Sequence, residues 1–264
     1  MKKFSNILNK RKNWAIPYTI FLAFFVILPL LLIIVYAFED SNGNFTFRNI
    51  EKFFNQPEAI NTFIYSIYVA VITTLLCILL GYPAAWIMSN RKLNRSEITV
   101  ILFILPMWIN ILVRTLATVA LFDFLKFPLG ETALIFGMVY NFLPFMIFPI
   151  YNTMQKMDYS LVEAAQDLGA TPLQVFLKVT LPLSVPGIMS GVMMVFMPTI
   201  STFAISELLT LNNIKLFGTT IQENINNGMW NYGAALAFIM LLIIVVSTLL
   251  RGEDSVQEEE GGII

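Results

Sequence analysis

The 264-residue sequence contains no histidine and only one cysteine, Cys77. A single cysteine cannot form an intramolecular disulfide, and the absence of histidine removes a common general base and metal ligand. The sequence also lacks a G-x-x-x-x-G-K-[ST] phosphate loop, and no nucleophile–base group or metal-ligand cluster is readable in it. We therefore expect no catalytic residues, no metal site and no cofactor bound by this chain itself.

Charged residues are scarce, at 12% of the chain, whereas hydrophobic residues make up 57%. Soluble globular domains carry about one quarter charged residues, and the mean hydropathy here is +0.74. The net charge of -1 argues against nucleic acid as a partner, because nucleic acid binding requires a basic face. This composition is typical of an integral membrane protein whose surroundings are the lipid bilayer.

Six apolar runs reach the length of about 20 residues that crosses a bilayer as a helix. They lack the alternation of a membrane strand, and only helices or closed barrels satisfy the backbone in lipid. We therefore predict an all-α polytopic membrane protein with six transmembrane helices. The runs are approximately Trp14–Phe38, Thr62–Met88, Ile98–Phe122, Ala133–Met154, Leu183–Leu209 and Tyr232–Leu250.

Eleven of the sixteen lysine and arginine residues lie on one side of the predicted membrane. They precede the first run, follow the second, lie between the fourth and fifth, and follow the sixth. Because loops rich in lysine and arginine stay in the cytoplasm, we predict that both termini are cytoplasmic. The expected organisation is a cytoplasmic segment 1–13, one membrane domain 14–250 and an acidic, disordered tail 251–264. The first apolar run is longer than the core of a signal peptide and fits an uncleaved anchor.

A polar island between two apolar runs, Ser160 to Pro182, has the pattern of two short helices joined by a glycine. Ser160 and Glu163 have the spacing of a capping box at the start of the first helix. Gly169 is expected to end that helix. Thr171 and Pro172 suit the N-cap and first position of a second helix, which we expect to end at Leu181-Pro182.

The first of these two helices carries an apolar stripe at helical spacing, with polar residues on its other side. The stripe consists of Leu161, Ala164, Ala165 and Leu168, and the polar residues are Glu163, Gln166 and Asp167. An amphipathic helix pair of this kind also suits a segment that merely lies at the membrane surface.

The residues of this island resemble a known signature. In order they are Glu163-Ala164-Ala165, three residues, Gly169, nine residues, Val179, one residue and Leu181-Pro182. This order and spacing resemble the EAA signature of permease subunits of bacterial ATP-binding-cassette importers. Val179 stands where isoleucine is usual. The resemblance implies the type I importer permease fold, the bacterial cytoplasmic membrane as location, and a cytoplasmic EAA loop at about 155–182.

The same resemblance implies partners and site residues. A separate cytoplasmic ATPase dimer would bind ATP and Mg and receive the loop through Glu163, Ala164, Ala165, Asp167 and Gly169. A second, homologous permease subunit would complete the pathway, and an extracytoplasmic substrate-binding protein would deliver the substrate. The chain itself would not be an enzyme.

Further segments are similar to the first permease of spermidine/putrescine importers, over most of residues 14–250. This similarity implies a polyamine as substrate, although the loop Asp123–Thr132 is about twenty residues shorter than expected, which bears on contacts with the delivering protein. The segments are Leu105–Thr115, Tyr140–Met146, Ile205–Leu208, the Gly81-Tyr82-Pro83 break in the second span and Trp230–Ala235 before the last.

A polycation needs carboxylates and aromatic faces in place of its water. Glu207 and Asp123 are the candidate carboxylates of the pathway, and Trp108 and Tyr140 are the candidate aromatic faces. The alternatives are a helix-end carboxylate in the headgroup region for Glu207, and ordinary helix packing for the two aromatic residues.

Arg114 is a cation inside the third span, where it would repel a polyamine if it lined the route. We expect it to be a structural charge paired with Glu207, Asp123 or a carbonyl freed by a proline. If it faced the pathway, the substrate would be an anion such as sulfate, thiosulfate or a phosphonate; a metal chelate is a further alternative. An ion-coupled carrier or channel is a third possibility, but no acidic pair lies in mid-span.

Overall fold

The computed structural model of the chain describes residues 16–40, 42–90 and 97–249. The predicted segment 1–13, the tail 251–264 and the basic residues Arg91, Lys92 and Arg95 lie outside these described residues. In chain order the helices are α1 Pro17–Ala37, α2 Arg48–Asn55, α3 Pro57–Ser89, α4 Glu97–Ile104, α5 Ile111–Phe124, α6 Glu131–Lys156, α7 Ser160–Asp167, α8 Pro172–Ser201, α9 Ala204–Thr210, α10 Phe217–Asn226 and α11 Trp230–Leu249.

The described residues contain no β-strand, only an isolated bridge between Glu39 and Phe45. The four helices α1, α3, α6 and α8 are long and apolar enough to cross a membrane, and the bent pair Ile98–Trp108 and Ile111–Phe124 makes up to five. The last apolar helix, Trp230–Val246, is shorter. The predicted all-α class is therefore confirmed, and each of the six predicted runs contains helix.

The third and fifth runs are not single straight helices, which corrects our expectation. The third bends by 98° between Trp108 and Ile111. Pro106 lies in a tight 3-10 turn there, and Asn110 caps α5 by accepting a hydrogen bond from the Leu112 N–H at 2.8 Å. A proline and a capping side chain together end one helix and start another.

The fifth run was predicted as Leu183–Leu209, but α8 ends at Ser201 and α9 begins at Ala204. At this break Gly218 of α10 packs against the backbone between α8 and α9. A Cβ built on Gly218 would lie 2.9 Å from the Thr202 carbonyl oxygen. Tertiary packing therefore sets this boundary. By contrast, the predicted Gly81-Tyr82-Pro83 break is wrong, because α3 runs through all three residues.

The described residues divide into two compact units, 16–60 with 221–249 and 61–220. The prediction of one membrane domain is not tested by this division. In the first unit α11 packs on α1 and α2. Asn231 Nδ2 donates to the Glu39 carbonyl at 2.8 Å, and Tyr232 donates its hydroxyl to Gln56 Oε1 at 2.8 Å. The loop after α1 contains the short helix α2.

In the second unit α8 packs along α6, and the core lies mainly on α6. Its fully buried side chains include Leu134, Met138, Met146, Ile147 and Ile150. Glycines of α8 permit the close approach, since a Cβ on Gly191 would lie 2.6 Å from Met146 Sδ. Small residues at helix contacts are the usual means of close packing inside a membrane.

Candidate functional site

The predicted helix pair after α6 is present as α7 and the start of α8, with Gly169 between them. The predicted capping box at Ser160 is wrong. The cap is supplied by Asp158, whose Oδ1 accepts from the Ser160 N–H at 2.9 Å. The two neighbours compete for the same role, because both residue types are good caps. These hydrogen bonds from Ser160, first from its N–H and then from its hydroxyl, lower the pKa of the exposed Asp158 carboxyl.

Gly169 ends α7 in the way that its position predicts. Its φ of +82° lies in the left-handed region, and nothing lies within 4 Å of a Cβ built there. The Gly169 N–H donates to the Gln166 carbonyl at 2.9 Å and the Ala170 N–H to the Ala165 carbonyl at 3.1 Å. These two bonds form a Schellman motif. Backbone conformation, not lack of space, is therefore what favours glycine at this turn.

The second helix starts as predicted. Thr171 is the N-cap, Pro172 follows it, and Thr171 and Gln174 form a reciprocal capping box. The expected end at Leu181-Pro182 is wrong, because α8 continues to Ser201. Phe176–Thr180 forms a π-helical segment immediately before Pro182. The wider turn lets the helix pass the proline, whose missing N–H would otherwise leave a gap in the ladder.

The apolar stripe of α7 faces away from the rest of its unit. Leu161 is 48% exposed and Leu168 is 89% exposed, and Ala164 is exposed as well. The inward face of α7 instead carries the buried Val162, which lines a cavity of about 220 Å³ together with Trp86 and Gln166. The loop thus rests on the unit through one face and leaves an unpartnered apolar face outside.

The predicted coupling residues lie on or beside that outer face. Glu163, Ala164, Asp167 and Gly169 are exposed, and Ala165 is half-buried. Among the described residues, Glu163 and Asp167 have no ion-pair partner. Their coupling role stays a prediction, and the geometry is compatible with it because their side chains are available to another molecule.

Arg114 is buried, with 4% of its surface exposed, on α5. Its Nη2 donates to the Asn141 carbonyl at 3.3 Å, three residues before Pro144, and its Cζ lies 5.9 Å from the centre of the Tyr140 ring. In the described part of the chain it forms no ion pair with Glu207 or Asp123. Pro144 leaves the Tyr140 carbonyl without its helical donor, so the Asn141 carbonyl that Arg114 contacts is not the freed carbonyl that we expected.

The other predicted pathway residues lie on four different elements. Trp108 is 88% exposed in the bend between α4 and α5, and Tyr140 is 42% exposed with Arg114 beside its ring. Glu207 lies in the first turn of α9 and Asp123 near the end of α5. Their pathway roles stay predictions.

Sequence reasoning missed Asn141 and Glu131. Asn141 is fully buried, and its Oδ1 has no hydrogen-bond partner, nor have Nε and Nη1 of Arg114. Glu131 begins α6 and accepts a hydrogen bond from the Tyr65 hydroxyl at 3.1 Å. A carboxylate close to the end of an apolar run was the available signal for Glu131, as it was for Glu207. In the described residues no group of three acidic or cysteine side chains has the arrangement of a metal site.

Residues 77–252 match the family described as binding-protein-dependent transport system inner membrane component. Among curated relatives, the chain is 34% identical to the spermidine/putrescine transport system permease protein PotB of Haemophilus influenzae, covering 85% of this chain and 88% of that protein. It is 32% identical to PotB of Escherichia coli K12, covering 87% and 92%. A PotB homolog of Mycoplasma genitalium is 27% identical, covering 83% and 82%.

Among solved structures, the chain resembles one from a bacterial ABC transporter involved in the import of the acidic polysaccharide alginate. The TM-score is 0.62 with 15% sequence identity, covering 92% of this chain and 97% of the other. At that identity the likeness concerns the fold.

Proposed function

Because the chain belongs to the family of binding-protein-dependent transport system inner membrane components, we propose that it forms half of the translocation pathway of a polyamine importer. Membership places the chain in the inner membrane as a multi-pass permease of an ATP-binding-cassette importer. Such a permease works with an ATPase, a second permease and a binding protein, and is not itself an enzyme. The substrate and the contacts with these partners are the proposal.

The observation that carries the substrate proposal is the identity of 32–34% to the PotB proteins over at least 85% of this chain. Those relatives are named as spermidine/putrescine permeases. Glu131 and Glu207 lie in the first turns of their helices, and the proposed orientation puts both carboxylates on the outer side, where they suit a polycation. Spermidine and putrescine are therefore the substrates to test first.

We propose further that the coupling site is the exposed face of α7 with the Gly169 turn. Leu161, Ala164 and Leu168 would enter a groove of the ATPase dimer, and Glu163 and Asp167 would meet it at the rim. Support comes from the exposure of this apolar face and from the rigid Schellman and capping-box ends of the two helices. ATP and Mg would be bound by that ATPase, which would move α7 and α8 together.

The orientation proposed is cytoplasmic for both termini and for the α7 loop. It rests on the distribution of lysine and arginine, eleven of sixteen of which fall on that side.

An anionic substrate is the alternative that Arg114 would favour if it lined the pathway. Its 4% exposure and its bond to the Asn141 carbonyl support a structural role instead. A polyamine remains the better candidate on these contacts.

The test is ATP-driven uptake of labelled spermidine, and separately of labelled sulfate, into vesicles holding this chain with its co-purifying subunits. Matched vesicles contain this chain alone, or the full assembly without ATP. We expect spermidine uptake only in the full assembly supplied with ATP. Sulfate uptake would overturn the substrate, and uptake by the chain alone would overturn the division of labour.

A further inference from the structure

A groove of about 490 Å³ runs between α3 and α6 in the unit 61–220. Glu131 lies at one end of the groove. The half-exposed rings of Tyr68 and Phe136 line the groove as well, together with Leu76, Leu80 and Val139. From Glu131 to Val139 the helix rises by about 12 Å. The groove is therefore long enough for an extended alkyl chain, and it has a carboxylate at only one end.

The Glu131 carboxylate is held in place by its neighbours. Tyr65 donates its hydroxyl to Oε1 at 3.1 Å, and the Gly130 N–H beside it donates to the Leu209 carbonyl at 3.0 Å. Among the described residues Glu131 has no lysine or arginine partner. One fixed carboxylate without a protein cation is complementary to an ammonium group.

Helix polarity alone also favours a carboxylate at this position, because the first turn of a helix attracts negative charge. Glu58 in the first turn of α3 is a comparable case, and in the described chain it has no hydroxyl donor. Helix polarity does not account for the Tyr65 bond, nor for the groove beneath it.

The aromatic rings add a second element of cation recognition. The Tyr65 and Tyr68 ring centres are 6.1 Å apart, and Tyr68 and Phe136 are each 51% exposed. An ammonium over such faces gains a cation–π attraction. Phe136 lies about 7.5 Å from Glu131 along the helix axis. Of two positive charges separated by methylene groups, one can therefore lie at the Glu131 carboxylate and the other at the Phe136 ring.

We propose that this groove binds one end of a linear alkylammonium cation, with its terminal ammonium at Glu131 and Tyr68 and its methylene groups along Leu76, Leu80 and Val139. The natural ligand rests on the proposed function, since it would be the transported polyamine. The segments predicted to face outward carry seven carboxylates against four lysine and arginine residues, and such a field draws polycations toward the site.

The first measurement needs no transport. Thr132 lines the same groove. The reaction rate of the cysteine in Thr132→Cys, made in a Cys77→Ser background, therefore reports on the charge in the groove of the reconstituted assembly. A cationic ethylammonium thiosulfonate and its neutral methyl analogue are compared. We expect Glu131→Gln to lower the cationic-to-neutral rate ratio roughly tenfold, Glu58→Gln to leave it unchanged, and spermidine to protect the cysteine.

The second measurement is the KM for ATP-driven spermidine uptake. Glu131→Gln keeps an acceptor for Tyr65 and is expected to raise KM roughly tenfold with subunit assembly unchanged. Glu58→Gln should retain the wild-type KM. If Glu131→Gln does not assemble, Tyr68→Leu takes its place with the same expected direction.

The outcomes separate the site from the function. Failure of wild-type spermidine uptake with the rate ratio still dependent on Glu131 would overturn the proposed substrate and keep an alkylammonium site. An unchanged rate ratio and KM in Glu131→Gln, or in Tyr68→Leu where that variant is used, would overturn the site. Protection by phosphatidylethanolamine but not by spermidine would also overturn it, in favour of a lipid contact.

Discussion

Gly169 and Gly228 share a left-handed backbone, with φ of +82° and +79°, and nothing lies within 4 Å of a Cβ built on either. A side chain at either position therefore meets conformational strain and no clash. Gly169 joins α7 to α8, whereas Gly228 lies between α10 and α11. The same substitution made at both positions therefore separates the effect of backbone strain from the effect of lying between α7 and α8.

We predict that Gly169→Val uncouples ATP hydrolysis from uptake, because a β-branched residue disfavours the φ that sets the angle between α7 and α8. The measurement is the number of substrate molecules taken up per ATP hydrolysed in reconstituted vesicles. Gly228→Val is the matched control and should retain the wild-type ratio, although its local strain is similar, about 1–2 kcal/mol. Equal losses in both variants would count against a coupling role for the turn.

Residue-level prediction from the sequence succeeded where the determinant is local. Gly169, Thr171 and Pro172 take their predicted places because φ and capping depend on the next few residues. Ser160 was wrong because Asp158 offers a competing cap two residues earlier. The partner of Arg114 lies 27 positions away at Asn141, which no local pattern specifies.

At the scale of helices, the contact between α6 and α8 depends on small residues. A Cβ on Gly191 would lie 2.6 Å from Met146 Sδ and 3.1 Å from the Met146 carbonyl oxygen. A side chain at this position requires Met146 Sδ to move and the two backbones to shift apart slightly. The backbone approach, rather than one side-chain pair, therefore defines this contact.

Gly191→Val is predicted to destabilise the chain by about 1–3 kcal/mol, the usual cost of overpacking a tight interior. Thermal unfolding in detergent measures the change. Met189→Val on the same helix, at a side chain that is 41% exposed, introduces the same β-branched residue without the clash. A melting temperature for Gly191→Val equal to that of Met189→Val would show that the contact can relax.

Prolines illustrate why helix boundaries were only partly predictable. Pro106 lies at a real bend, whereas Pro83 and Pro182 lie inside continuous helices. The π-helical turn Phe176–Thr180 accommodates Pro182, and such a turn is a response of the backbone to its packing. The sequence therefore predicts where a helix is weakened, and tertiary contacts decide whether it breaks.

At the scale of the whole molecule, the proposed orientation makes opposite predictions for two exposed positions. Leu168 is 89% exposed in the α7 loop, and Phe45 is 73% exposed in the loop before α2. With Cys77→Ser as background, a membrane-impermeant thiol reagent should label Phe45→Cys in intact cells and Leu168→Cys only in inverted vesicles free of ATPase. Labelling of both from the same side would refute the orientation.

The fold class and the six apolar runs were predictable because hydropathy is a property of consecutive residues. The groove was not. Glu131 and Tyr65 are 66 positions apart, and only the packing of α6 against α3 places the hydroxyl on the carboxylate. Trp108 and Tyr140, selected as candidate aromatic faces for a polycation, instead lie at a bend and beside Arg114. Composition indicates which chemistry is available, and long-range contacts decide where it is assembled.

The exposed face of α7 also bears on how the cell makes this protein. Leu161 and Leu168 are 48% and 89% exposed, and an apolar surface left uncovered in water invites aggregation. On the docking proposal that surface is covered only once the ATPase is present. A permease synthesised in excess of its ATPase would be an orphan subunit marked for chaperones and proteases, so balanced synthesis of the two subunits follows from the face of a single short helix.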